Sequence, residues 1–341
     1  MHSRIAIDAM GGDGGLAVML AGAAQASPRC TGQGLVLVGD EAQIRAQLPQ
    51  FPALADAEIV HAADIVASGE KPSLALRRAK TTSMGVAIDL VKQGHAMAAV
   101  SSGNTGALMA MAKLSLRTLP GIDRPALAAA MPTLGDNDVV MLDLGANTEC
   151  DAANLVQFAV MGAAYARTSF DLPAPRVALL NIGTEEMKGT DNIREAAARL
   201  KAAVHLPMRF GGFVEGNQLS RGDVDVVVCD GFSGNIALKT VEGTARFVAD
   251  LLKRAFSSSL RSKVGFLISR PATELLRDHL DPNNHNGAVF LGLNGVVLKS
   301  HGSADAKGVA NCVHLCAELI EKDITRQVTE DLANFRRGDA A

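Results

Sequence analysis

Six apolar, strand-like runs in this chain each end in a cluster of glycine and small polar residues. The clusters are Asp8-Ala-Met-Gly-Gly-Asp13, Ser101-Ser-Gly-Asn-Thr-Gly106, Asp143-Leu-Gly-Ala-Asn147, Asn181-Ile-Gly-Thr-Glu-Glu-Met-Lys-Gly189, Cys229-Asp-Gly-Phe-Ser-Gly-Asn235 and Lys299-Ser-His-Gly-Ser303. Such a chain is expected to build an open α/β sheet whose strand-end loops gather at one edge, where ligands bind. Glycine lets backbone N–H groups come close to a ligand, and a helix that follows favours an anion at its amino end. Six such loops point to a site for phosphate or another small oxyanion, and to an enzyme more than a scaffold.

The rest of the chain alternates in the same way. Strands are predicted at 4–7, 34–38, 57–61, 96–100, 139–144, 177–182, 224–229 and 296–299. Helices are predicted near 16–26, 73–93, 105–117, 150–168, 191–204, 235–258 and 304–335. Alternating β and α segments imply a mainly parallel sheet with helices on both faces. The apolar fraction is 48%, as strands buried on both faces require. No apolar run reaches the eighteen or so residues of a membrane span. The 341 residues are read as one α/β unit over 1–335, made of two intertwined lobes with a junction near 171–175, followed by a disordered tail at 336–341.

Composition excludes some partners. Aromatic residues make up only 4% and tryptophan is absent, which argues against a stacking platform for single-stranded nucleic acid. A net charge of −3 argues against general polyanion binding. The five cysteines form no C-x-x-C pair, so reduced thiols in the cytoplasm are expected, with neither disulfides nor a metal site. One segment stands apart: 246–280 carries seven basic and three acidic residues among regular apolar ones. It reads as a basic, amphipathic, protruding helical hairpin, suited to an anionic membrane surface or an acidic partner.

The loop Gly12-Asp-Gly14-Gly-Leu-Ala17 fits the dinucleotide pattern G-x-G-x-x-[G/A], and Asp40 ends the next strand. Five further polar glycine loops would be superfluous for a plain dinucleotide domain, so an NAD-dependent dehydrogenase is the runner-up reading. A non-catalytic sensor of acyl or phosphate ligands is another.

The wording of the loops is more specific than their pattern. Ile5-Ala-Ile-Asp-Ala-Met-Gly-Gly-Asp13, Ser102-Gly-Asn-Thr-Gly-Ala107, Gly121-Ile-Asp-Arg-Pro-Ala126, Leu144-Gly-Ala-Asn147 and Gln157-Phe-Ala-Val-Met-Gly162 resemble the bacterial phosphate acyltransferase family called PlsX. So do Leu180-Asn-Ile-Gly-Thr-Glu185, Cys229-Asp-Gly-Phe232, Gly234-Asn235 and Lys299-Ser-His-Gly-Ser303. The match runs in order from residue 4 to about 320. It departs in the first loop, where Gly14-Gly15-Leu16 stands in place of an expected proline.

The resemblance implies transfer of a fatty acyl group from acyl carrier protein to inorganic phosphate, for phospholipid synthesis. It also implies a three-layer α/β/α fold like that of isocitrate and isopropylmalate dehydrogenases, a homodimer without cofactor, and peripheral membrane contact. The downstream glycerol-3-phosphate acyltransferase is a further expected partner.

The residues suit this chemistry. Phosphate is already a nucleophile at neutral pH and needs capture and alignment. The thioester oxygen needs fixed donors or a cation as it gains charge. Lys188 is assigned to that oxygen, Asn235 to phosphate, and His301 to phosphate or the leaving thiolate. Gly12, Asp13, Ser102, Asn104, Thr105, Asn147, Thr184 and Ser233 are the expected substrate-binding residues. Asp8, Asp143 and Asp230 are expected to brace glycine loops rather than hold Mg²⁺. Cys229 is read as buried and inert rather than as an acyl-enzyme nucleophile. Arg77, Arg78, Lys80, Arg261 and Lys263 are the expected docking residues for the acidic carrier.

Overall fold

The computed structural model describes residues 3–30 and 33–339. Eleven strands form one sheet: β1 (Ser3–Asp8), β2 (Gln33–Gly39), β3 (Glu58–His61), β4 (Ala98–Ser101), β5 (Ala126–Met131), β6 (Val139–Leu142), β7 (Arg176–Leu180), β8 (Arg209–Val214), β9 (Val226–Val228), β10 (Ala288–Leu291) and β11 (Val296–Lys299). Their order across the sheet is β3-β2-β1-β4-β11-β10-β5-β6-β9-β7-β8.

The helices are α1 (Gly15–Ala26), α2 (Glu41–Gln47), α3 (Pro72–Arg77), α4 (Ser83–Lys92), α5 (Thr105–Leu116), α6 (Ala152–Phe170), α7 (Asp191–Ala202), α8 (Gly231–Ser257), α9 (Leu260–Ile268), α10 (Arg270–Leu280), α11 (Ala306–Glu321) and α12 (Ile324–Asp339). One face of the sheet packs on α1, α6 and α11, and the other on α4 and α5. This is the expected three-layer α/β/α arrangement. The most buried helix is α6, whose Phe158, Met161 and Tyr165 are almost wholly enclosed. Each such side chain contributes about 1.5–3 kcal/mol of apolar burial. Its start is fixed by a capping box between Asp151 and Asn154.

Strand direction changes the expectation that all six loops share one sheet edge. β3, β2, β1, β4 and β11 are mutually parallel, and so are β6, β9, β7 and β8. Between the two sets lie three antiparallel pairings, β11–β10, β10–β5 and β5–β6. Three reversals turn one half of the sheet against the other, so their strand-end loops start from opposite directions.

Register brings them together again. Lys299, the last residue of β11, pairs with Ala288, which pairs with Ala129, which pairs with Met141 near the end of β6. The two sets of carboxyl ends therefore overlap by two rows in the middle of the sheet. The overlap lies across β10 and β5, about 14 Å wide at three strand spacings.

Several expected elements divide differently. The helix predicted over 73–93 is α3 and α4, because Thr82 caps a new start through Gly85. The helix over 304–335 is α11 and α12, broken at Asp323 with φ 48°. The tail expected at 336–341 is helical as far as Asp339, and residues 340–341 lie outside the described part. The stretch 171–175 carries the chain from α6 to β7, and the sheet continues across it. The basic segment 246–280 forms the later part of α8 with α9 and α10.

Candidate active site

Over the central overlap lies a cavity of about 1390 Å³. Its floor includes Leu127 and Ala129 of β5 and Phe290 of β10, and α8, α9 and α10 close over it. Four of the six polar loops reach it. Thr105 and Gly106 come from the β4 loop, Gly145 from the β6 loop, Asn235 from the β9 loop, and His301 from the β11 loop. Away from this polar end the walls are apolar, with Met109, Leu252, Phe256, Phe266, Leu276 and Leu280. A charged group can thus meet an extended apolar chain in a single space.

Buried aspartates hold the loops. Asp143 is fully buried and accepts five hydrogen bonds: from the backbone N–H of Leu127, Gly145, Ala146 and Asn147, and from the Asn147 side-chain amide. Burial pushes its pKa up, and these donors pull it back. Asp8 accepts from Ser101 Oγ at 2.7 Å and from the Met10 N–H, again with burial raising its pKa. Asp230 caps α8, accepting from the Ser233 N–H at 2.7 Å and from its hydroxyl. Among the described residues no group of three or more His, Cys, Asp or Glu is arranged to hold a metal ion.

Close backbone approaches lock neighbouring loops together. The Gly231 N–H donates to the Asn147 carbonyl at 2.7 Å. A Cβ on Gly234 would lie 1.9 Å from the Asp143 carbonyl oxygen, so only glycine fits there. On the other half of the sheet the Asp13 N–H donates to the Gly302 carbonyl at 2.8 Å. Gly12, with φ 88°, packs on Ser102. Gly12 and Asp13 thus sit behind the β11 loop and do not line the cavity.

The other expected binding residues divide between lining and support. The Asn104 side chain caps α5 through the Ala107 N–H and donates to the carbonyls of Ser68 and Glu70, so its amide is engaged in structure. Thr105 and Gly106, at the α5 amino end, are what faces the cavity. The Ser102 hydroxyl is buried against Met19 Sδ. The Asn147 amide bonds to the Pro125 carbonyl and to Asp143. Asn235 is exposed within the cavity, and its side chain makes no hydrogen bond among the described residues. His301 packs Nδ1 on Ser303 Oγ at 2.9 Å, and its backbone N–H donates to Asn286. Burial, aided by Lys239, Lys299 and Arg246, lowers its pKa and favours the neutral ring.

Lys188 and Thr184 are exposed on the loop after β7, beyond β9, and do not line the cavity. That loop is held by Asn181, whose amide donates to the Lys188 carbonyl. Cys229 is 4% exposed, with burial raising its thiol pKa well above the ordinary value. Of the docking candidates, Arg78 is paired with Glu70 at 2.8 Å and is not free. Arg77, Lys80, Arg261 and Lys263 are exposed, and Lys263 borders the cavity.

One lining residue escaped the sequence reading. Lys299 stands at the end of β11, 9% exposed, with its ammonium donating to the carbonyls of Ser102 and Ser300. The signal was present: a lysine closing the apolar run Val296-Val-Leu298 cannot point into a dry core without a reason.

A cavity with a polar end at several helix starts and a long apolar body fits an enzyme that joins an apolar chain to an anionic co-substrate. Comparison with solved structures places the fold among phosphotransacetylases. A phosphotransacetylase from Streptococcus pyogenes superposes with a TM-score of 0.60 at 18% identity, covering 94% of both chains. The EutD phosphotransacetylase from Staphylococcus aureus superposes with 0.59, also at 18% identity and 94% of both.

Sequence relatives are closer. A family described as "Fatty acid synthesis protein" matches residues 3–327. The phosphate acyltransferase of Erythrobacter litoralis is 66% identical, over 97% of this chain and 94% of that protein. That of Rhodospirillum centenum is 53% identical, over 97% and 93%. The chain belongs to the PlsX family of phosphate acyltransferases, enzymes that transfer an acyl group to phosphate.

Proposed function

We propose that the acyl donor is fatty acyl carrier protein and that the acyl phosphate formed serves phospholipid synthesis. The observation that carries this reading is the cavity itself, an apolar channel continuous with a polar end built from helix starts. The fatty chain lies along Phe256, Phe266 and Leu276. Phosphate sits between the amino ends of α5 and α8, where N–H groups and the free Asn235 amide face it. A phosphate oxygen attacks the thioester carbonyl, the C–S bond breaks, and the carrier thiolate leaves with its electron pair.

The developing oxyanion is met by the Asn235 amide and the Phe232 N–H, since the N–H groups of Gly231, Ser233 and Gly234 are taken by Asn147 and Asp230. Lys188, assigned to the same oxygen, stands outside the cavity lining on the exposed loop after β7 and would reach that oxygen only by an inward movement of the loop. His301 stands ready to donate to phosphate or to the thiolate. Gly12, Asp13, Ser102, Asn104 and Asn147 act through the loops they hold.

The acidic carrier docks on Arg77 and Lys80, on and just beyond α3, and on Arg261 and Lys263 along α9. The segment just before the first patch is latched to Asn104, which caps α5. A homodimer and peripheral membrane contact fit the exposure of α8–α10. Of the 27 residues in α8 only Gly231 and Gly234 are buried, while Phe247, Leu260 and Leu267 are well exposed. No described helix is long and apolar enough to cross a membrane.

The test is release of carrier thiol from an acylated carrier with and without inorganic phosphate. Release that depends on phosphate supports the reading. Release that ignores phosphate, or tight carrier binding without turnover, refutes it.

A further inference from the structure

Lys299 has a placement that loop structure alone does not explain. Its ammonium is buried at the polar end of the cavity and bonds only to two neutral oxygens, the Ser102 and Ser300 carbonyls. No described carboxylate forms an ion pair with it within 4 Å. An ammonium carries three donors, so one remains. A buried charge without a counter-ion is destabilising unless a ligand supplies the opposite sign.

The surroundings define which ligand that is. Lys299 pairs in register with Ser101, directly before the loop that opens α5. Its contact with the Ser102 carbonyl sets it beside that helix start, whose Thr105 and Gly106 line the same cavity. A buried cation and a helix amino end, converging from β11 and β4, form a pocket for a small dianion.

We propose that Lys299 is a substrate-contacting residue of this enzyme, the cation that captures inorganic phosphate and holds it for attack. This rests on the acyl-transfer reading above and adds the residue that binds the acceptor. Lys299 holds phosphate inside the cavity, whereas Lys188 lies outside its lining on the exposed loop after β7.

Burial pushes the Lys299 pKa down to about 8, with Lys239 acting the same way and Asp13, Asp8 and Cys312 opposing. His301 and the Lys239–Glu242 ion pair line the same end of the cavity. The free enzyme therefore binds phosphate best while this amine is protonated, and its affinity falls as pH rises above about 8.

The experiment measures binding of inorganic phosphate alone by calorimetry, in the full-length wild type and in Lys299→Met and Lys299→Gln variants. Melting temperature verifies the fold of each. Steady-state kinetics follow. Loss of one charge-assisted contact should weaken phosphate binding and raise its KM roughly 10- to 100-fold. The KM for acylated carrier should stay within about twofold, and the alkaline fall in phosphate affinity should vanish.

Unchanged phosphate binding in a folded variant overturns the proposal. So does an equal rise in both KM values, or a wild type that binds no phosphate. Phosphate binding that depends on Lys299 without any thiol release would uphold this site while refuting the acyl-transfer reading.

Discussion

Replacing Asp143 by asparagine keeps the shape of the side chain but exchanges one oxygen for an NH₂ group. One oxygen of Asp143 serves Leu127, Gly145 and Ala146, and the other serves the backbone and side chain of Asn147. An amide can satisfy the first set, but it then turns donors against both Asn147 donors. Two bonds to a charged acceptor are lost at about 1.5–3 kcal/mol each. Relief of carboxylate desolvation offsets part of that, leaving a net loss of about 2–4 kcal/mol.

For a chain of this length the unfolding entropy is about 0.7 kcal/mol per kelvin, so Asp143→Asn should lower Tm by about 3–6 °C. Activity should fall further than stability, because the Asn147 carbonyl that receives the Gly231 N–H is displaced with its loop. The assays are differential scanning calorimetry and phosphate-dependent thiol release. A variant with wild-type Tm and full turnover would refute the claim that this carboxylate organises the loops.

Gly234→Ala should be poorly folded or inactive, since its Cβ would stand 1.9 Å from the Asp143 carbonyl oxygen; soluble, active protein would contradict the packing. Charge reversal at Arg77 and Lys80 should raise the KM for acylated carrier several-fold while sparing that for phosphate, and an unchanged carrier KM would exclude this patch. Arg78 is omitted because its pair with Glu70 would confuse docking with local unfolding. Cys229→Ala should retain turnover, and mass spectrometry of quenched wild type should find no acyl group on that thiol, which is buried with a raised pKa. An adduct there, with an inactive variant, would establish a covalent route.

The sequence made the alternating pattern and the wording of the loops plain, because glycine and strand-end polar residues are local signals. It concealed the reversal of the sheet. The three strands it did not reveal were β5, β8 and β10. Two of these, β5 and β10, are the strands that turn one half against the other. β5 reads Ala-Leu-Ala-Ala-Ala-Met, a composition with more helix than strand preference. β10 has only four residues and no alternation. Their strand character comes from burial between neighbours, which no local window carries.

The same limit governs the site. Asn235 was legible as a polar residue of a strand-end loop, but α8 starts at Gly231 under the Asp230 cap and places Asn235 one turn inside the helix. The engagement of the Asn104 amide by Ser68 and Glu70, and the burial of Lys299, depend on chain segments remote in sequence.

One cavity is proposed to bring phosphate to a fatty thioester. This is tested most directly by ³¹P NMR of purified protein mixed with acylated carrier protein and inorganic phosphate. A new acyl phosphate resonance should grow one for one with released carrier thiol. Thiol released with free fatty acid and no phosphorus-bound product would contradict it, as would no release at all.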